Sequence, residues 1–292
     1  MKVNKMKVYN WDSKSSLYLK KEEELVICLG SFETLHLGHY QLFKKADEFI
    51  LNNPGYKKAI IIFKNPIKNG QIISKKAFQA KTKLYTLEKL NFDYVFFIET
   101  SQQTINLHYE DFIKALKINN VKTVICGLDY HFGFRREGNI NHLEKNFNVI
   151  KVDLFKNKNI KVSSSILNTL ISEGHIKDLN KLLIDKYSFI SYLDKLNFKY
   201  PENLIKLKSG LYIVNAVIKD IEYHGLCHID LNNEEDKNVL YLLDLDRIAL
   251  PNEEVFIEFL EEIRLITDEK YNNIDNLDIE KAKKYFLANL DI

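Results

Sequence analysis

The 292-residue sequence has only three cysteines, Cys28, Cys126 and Cys227, and no two of them form a CxxC pair. An odd, scattered set supplies neither a disulfide framework nor a thiolate zinc site. Cys28 and Cys126 lie inside apolar runs and read as small buried hydrophobes. Charge of one sign is also lacking: 42 Lys and Arg stand against 40 Asp and Glu, a net charge of +2. That removes the basic excess by which nucleic-acid-binding proteins hold their ligand, so no nucleic-acid partner is expected. An anionic ligand must then be held by a local site. No apolar run approaches the length of a membrane span. The first sixteen residues carry lysines but no apolar stretch of the kind a secretory leader needs, so no membrane association and a cytoplasmic location are expected. Internal repeats and low-complexity tracts are missing too.

What is present is a globular composition, 46% hydrophobic and 28% charged, on a chain long enough for two cores. Strands that are apolar throughout, at 24–30, 59–63, 94–99, 123–127 and 148–154, alternate with HYQLFKKADEFIL, AKTKLYTLEKL and YEDFIKALKI, whose apolar residues recur at helical spacing. This alternation predicts an α/β domain with a parallel sheet covered on both faces, over residues 1–185. SSSILNTLISEG and IKDLNKLLI follow as short helices. From 186 to 292 the pattern becomes YSFISYL, GLYIVNAVI, YHGLCHIDL, NVLYLLDL and VFIEFLEEIRLI, closed by IDNLDIEKAKKYFLANL. Those runs predict a small antiparallel β-barrel with a C-terminal helix.

In an open parallel sheet ligands bind beyond the carboxyl ends of the strands, where helix N-termini present their amides to anions. GSFETLHLGH (30–39) lies at such an end. Gly30 allows a tight exit from the strand, Gly38 lets a helix begin close to a ligand, and His36 and His39 flank its positive end. A bare HxxH is as easily a pair of satisfied polar residues. The preceding strand, the two glycines and the amphipathic helix after them favour a phosphate site. VSSSILNTLI (162–171) begins a helix with Ser163, Ser164 and Ser165, two hydroxyls more than an N-cap requires. CGLDYHFGFRREG (126–138) combines aromatics, Asp129 and the pair Arg135–Arg136 at another strand end, a composition suited to a planar ring. IIFKNPIK (61–68) puts Asn65 and Pro66 at a third, and an Asn-Pro step is by itself a common turn.

Together these four stretches resemble the bacterial bifunctional riboflavin kinase/FMN adenylyltransferase family, or FAD synthetases. The family's GxFDGxHxGH corresponds to Gly30 through His39, its GxDFxFGxxRxG to Gly127 through Gly138, its ISSTxIR to Val162 through Asn168 and its FxPxP to Phe63 through Ile67. The resemblance implies a Rossmann-like nucleotidyltransferase that binds ATP with Mg²⁺ and converts FMN to FAD, without a resident metal. It implies His36 and His39 as the catalytic pair. Gly30, Ser31, Phe32, Gly38, Ser163, Ser164 and Ser165 would meet ATP, and Phe63, Asn65, Pro66, Asp129, Phe132 and Arg135 the flavin. Two positions depart from the pattern: Phe32-Glu33-Thr34 replaces FDG, and Asn168 stands where ISSTxIR ends in arginine.

The barrel region is similar to a riboflavin kinase module but lacks its phosphate machinery. No glycine occurs between Gly174 and Gly210, the FPTAN element is YPENL (200–204), and Asn238-Val239-Leu240 replaces the expected acid. The expectation is a barrel retained as a fold with its kinase activity lost. The alternatives are a bifunctional enzyme or a non-catalytic flavin- or nucleotide-binding protein.

Overall fold

A computed structural model describes residues 5–11, 23–65, 67–68, 71–157, 160–231, 237–245 and 251–289. Pro66 lies outside them. Two compact units form, one of Met1–Lys76 with Lys83–Ser163, the other of Ala77–Thr82 with Ser164–Ile292.

In the first unit, strands β1 (Lys7–Asn10), β2 (Glu24–Leu29), β3 (Tyr56–Phe63), β4 (Tyr94–Ile98), β5 (Val121–Gly127) and β6 (Asn148–Val152) form one parallel sheet in the order β1-β4-β3-β2-β5-β6. Leu25 to Leu29 are 0–1% exposed, which is why this strand reads as an unbroken apolar run rather than an alternating one. Helices α1 (Leu37–Asn52), α2 (Ala80–Lys89) and α3 (Tyr109–Ile118) carry the crossovers. Leu42, Phe43 and Ala46 form the buried stripe of α1. Lys58, 1% exposed in β3, reaches Asp47 on α1 at 2.6 Å and the carbonyl of Leu90 at 3.0 Å. That pairing is what lets a lysine sit inside a sheet.

The order reverses at β2, with β3 and β4 laid down on one side and β5 and β6 on the other. The crevice at the carboxyl ends of β2 and β5 is therefore the topological switch point where such sheets take ligands. Register puts the ends together: Leu29 faces Cys126, Phe63 faces Ile98 and Val152 faces Gly127. The chain thus leaves β2, β3, β4, β5 and β6 along one edge.

The second unit begins with α4 (Ser164–Glu173) and α5 (Ile176–Asn180). The change from helices to strands near 186 is a change within this unit. Strands β7 (Ser188–Asp194), β8 (Asn197–Lys199), β9 (Gly210–Ile218), β10 (Ile221–Ile229), β11 (Lys237–Leu242) and β12 (Pro251–Leu265) close into an antiparallel barrel in the order β7-β8-β11-β10-β9-β12. Closure leaves no free sheet edge. Its core is aromatic, with Tyr187, Phe189, Phe198, Tyr200, Tyr212 and Phe259 buried together. Helix α6 (Asn276–Asn289) ends the described chain. The α/β fold followed by a barrel and C-terminal helix is as the sequence predicts, with one added strand in the parallel sheet and one in the barrel. β1 and β8 have four and three residues, too few to show a period. All three cysteines are buried and free.

Candidate active site

His36 is the N-cap of α1, in extended conformation, and its Nδ1 accepts a hydrogen bond from the backbone N–H of His39 at 3.2 Å. A ring nitrogen acting as acceptor carries no proton, so the neutral imidazole must hold its proton on Nε2. The same interaction places His36 where side-chain oxygens usually cap a helix, at the positive end of the macrodipole. His36 is 7% exposed, and burial pushes its pKa down to about 4, its own backbone bond acting weakly the other way. His39 is held well below the usual imidazole range by burial first, then by His36 and, further down, by Lys83, with the Thr34 backbone opposing. Both rings are therefore neutral near pH 7 and act as N–H donors rather than as cations.

The two rings stack, centroids 3.8 Å apart and planes 14° from parallel. Phe32 packs against the pair at a tilt, its ring centroid 4.8 Å from that of His39 and the planes 59° apart. Each glycine of the stretch serves this stack. A Cβ on Gly30 would sit 3.0 Å from the Phe32 ring, and one on Gly38 would sit 2.9 Å from Cε1 and 3.0 Å from Nδ1 of His36. Gly38→Ala is expected to lower turnover by about 100-fold through displacement of His36. The helix-propensity gain of alanine over glycine, at most about 1 kcal/mol, opposes the cost of the clash with His36, so thermal unfolding should show little net change. Steady-state pyrophosphate release measured beside the melting curve checks both parts.

Lys83, which sequence reasoning passed over, belongs to this cluster. It is 5% exposed, and its Nζ donates to the Phe32 carbonyl at 3.1 Å. The available signal was positional: Lys83 falls on the inward stripe of α2 with Ala80, Leu84 and Leu87. Thr100 was also missed. Its buried hydroxyl accepts from the Asn65 N–H at 3.1 Å and donates to the Asn65 carbonyl at 2.9 Å, fixing the turn after β3 against the end of β4. The Asn65 side chain is half-buried, Phe63 packs against the sheet core and Ser31 is exposed.

The loop after β5 is built differently from the ring platform that its composition suggests. Phe132 is 7% exposed and sits in the core, 5.4 Å from Phe112 and stacked at 5.7 Å on Tyr130. Gly133 and Gly138 are needed for close approach to α3, since a Cβ on either would lie 2.7–2.9 Å from atoms of Tyr109. The polar groups stay outside. Asp129 is exposed, and exposed Arg135 and Arg136 both have left-handed φ, +51° and +61°, with the Arg135 guanidinium over the Phe134 ring at 5.0 Å. Ser163 belongs to the first unit, and Ser164 and Ser165 open α4 in the second. Asn168 is half-buried on that helix. Among the described residues, no group of three or more His, Cys, Asp or Glu could hold a metal ion, and no helix is long and apolar enough to cross a membrane.

A parallel sheet whose switch-point helix is capped by His36, with His39 stacked on that ring, has the layout of a Rossmann-like nucleotide-binding domain. The FAD synthetase family model matches residues 19–166. The chain belongs to that family. It is 32% identical over 213 residues, 66% of each chain, to a bifunctional riboflavin kinase/FMN adenylyltransferase of Buchnera aphidicola from Acyrthosiphon pisum. A protein of the same description from the Schizaphis graminum strain is 26% identical over 292 residues, covering 89% of this chain and 93% of that one. The corresponding Bacillus subtilis protein is 24% identical, covering 91% and 93%. A solved structure described as a macrolide-efflux protein from Streptococcus pneumoniae shares the fold, with TM-score 0.80, 20% identity and coverage of 96% and 98%.

Proposed function

We propose that this chain makes FAD by transferring AMP from ATP to FMN, and that its barrel does not phosphorylate riboflavin. The observation that carries the first part is the His36–His39 stack at the start of α1, buttressed by the tilted Phe32 ring, which presents neutral N–H donors at the switch point. An oxygen of the FMN phosphate attacks the α-phosphorus of ATP, the bond to the bridging oxygen breaks, and pyrophosphate leaves. No group on the protein needs to form a covalent intermediate. Its work is to position the reactants and to donate hydrogen bonds where charge grows, which His36 and His39 are built to do. Ser31 and Ser163 would hold the triphosphate. Phe63, Asn65, Pro66, Asp129 and Arg135 would shape the flavin side, with Phe132 supporting that loop from the core. Mg²⁺ enters with ATP as part of the substrate, its ligands mostly phosphate oxygens and water. These are soluble small molecules, and we place the reaction in the cytoplasm.

Two features of the barrel support the second part. Asn238, 1% exposed, accepts from the N–H of Asp230 at 3.0 Å and donates to the Phe198 carbonyl at 3.3 Å, so it serves as a strut where a general base would be needed. The YPENL stretch is tied to the core by Tyr200, whose hydroxyl donates to the Ile205 carbonyl at 3.0 Å and accepts from the Leu207 N–H at 3.1 Å. Chromatography of flavin products tests both parts. With MgATP, FMN should yield FAD and pyrophosphate, and riboflavin should remain unchanged. FMN appearing from riboflavin would overturn the kinase statement, and absence of FAD would overturn the adenylyltransferase one.

A further inference from the structure

We propose that Lys83 is a positioning residue for the histidine pair: its ammonium, lodged beneath the loop that follows β2, holds Phe32 in the conformation that stacks His39 on His36. The kinetic consequence rests on the adenylyl-transfer reading, whereas the geometric one does not.

Phe32 is a bulky residue with φ of +42°, a left-handed conformation that side chains with a Cβ adopt at a cost, and it is fully buried. Something must over-determine that conformation. Its ring fills the space beside Gly30 and packs on His39, and its carbonyl takes the Lys83 ammonium at 3.1 Å. The relay is short, running from Lys83 to the Phe32 backbone, then to the Phe32 ring, His39 and His36. A charge-assisted bond to a carbonyl is stronger than a neutral one and sets direction as well as distance.

Stability alone would not put a lysine here. The groups acting on it are Lys76 from the segment before α2, Glu33 from the same loop as Phe32, and His39 from α1. Burial first, then Lys76, lowers its pKa to about 7, with Glu33 opposing. A depressed lysine binds fewer protons folded than unfolded from about pH 7 up to the ordinary lysine range, so its burial penalty is full below that window and relieved across it. A hydrocarbon in the stripe of Ala80, Leu84 and Leu87 would avoid the penalty but could not hold Phe32.

The test uses the full chain as wild type, Lys83→Met, Lys83→Gln and Lys83→Arg. Imidazole C–H NMR signals of His36 and His39 are followed from pH 5 to 9, with FAD formation at saturating FMN and MgATP measured in parallel. Lys83→Met should keep or raise the thermal midpoint, shift both sets of ring signals, and lower kcat about 10- to 100-fold with KM for FMN little changed. Lys83→Gln and Lys83→Arg, which retain a donor, should recover part of the ring signals and of kcat. The wild-type His39 signal should inflect near pH 7 as the ammonium deprotonates, and Lys83→Arg should abolish the inflection. Unchanged ring signals in folded Lys83→Met would overturn the proposal. If that variant does not fold, unchanged signals and no loss of the inflection in Lys83→Arg would do so. A wild type that makes no FAD removes the adenylyl-transfer reading, while the ring signals still decide the role of Lys83.

Discussion

Replacing His36 with asparagine is expected to lower FAD formation by about 100- to 1,000-fold while leaving the chain folded, the loss typical of one preorganised donor to a charged transition state. Asparagine is the informative choice because His36 has two tasks. Its Nδ1 caps α1 by accepting from the His39 N–H, and asparagine is among the best residues for that task. What asparagine removes is the Nε2–H and the ring on which His39 stacks. His36→Ala would lose the cap as well, adding roughly 1 kcal/mol of destabilisation that blurs the reading. Quantifying FAD by chromatography, with melting curves alongside, separates the two tasks. A His36→Asn variant within a few-fold of wild type would remove His36 from the mechanism.

The pH dependence has a definite sign. The folded pKa of His36, about 4, lies below the ordinary 6.5, so the folded chain binds fewer protons than the unfolded one between these values. The stability that a neutral His36 contributes is complete above pH 6.5 and is lost as pH falls toward 4. Protonation must also take the Nδ1 lone pair from the His39 N–H, so it uncaps the helix and disturbs the site together.

The sheet was legible because its strands are buried on both faces and its helices carry apolar stripes, signals that need only local sequence. The strand-to-helix junction at Gly30–His39 was legible for the same reason. Lys83 was not, because within AKTKLYTLEKL it is one of three lysines, and only tertiary placement makes it the buried one. Phe132 shows the opposite limit. An aromatic beside a strand end suits a ligand, yet Gly133 and Gly138 bring the loop after β5 so close to Tyr109 that the ring turns into the core against Phe112. Asn238 read as a missing acid, and only the structure supplies its bonds to Asp230 and Phe198. β1 gains its order from pairing with Tyr94–Phe97 of β4, a partner more than 80 residues away in sequence that a four-residue stretch cannot announce.

In the barrel the largest stability effect is expected at Arg264. Its guanidinium spans Asp278, through Nε at 3.1 Å and Nη2 at 2.9 Å, and the carbonyls of Tyr271 and Asn273 at 2.7 and 2.6 Å, so one side chain ties α6 to β12. The Asp278 side chain is 2% exposed against 23% for Arg264. Asp278 and Asp275 exchange side-chain-to-backbone bonds at 2.9 and 3.2 Å in the manner of a capping box, so the carboxylate also starts the helix. Arg264→Met strands a buried carboxylate, and the expected loss is about 3 kcal/mol, the lower end for a broken buried pair because the Asp275 N–H still bonds it. Burial raises the Asp278 pKa, but the Arg264 and Asp275 bonds outweigh it and hold the group below its ordinary 3.8. The wild-type contribution is therefore full above pH 3.8 and lost as pH falls through the folded value. In Arg264→Met the main lowering influence is gone, the folded pKa rises, and the penalty exists only while the group is ionised. The gap between wild type and variant should be widest near pH 7 and narrow on acidification, and Arg264→Met/Asp278→Asn, which buries no charge, should recover part of it. Hydrogen exchange of the barrel-strand amides reads this second unit directly, without assuming that the whole chain unfolds in one step. A gap that stays constant from pH 7 to 4 would show that Arg264 acts through packing and its two carbonyl bonds rather than through the charge of Asp278.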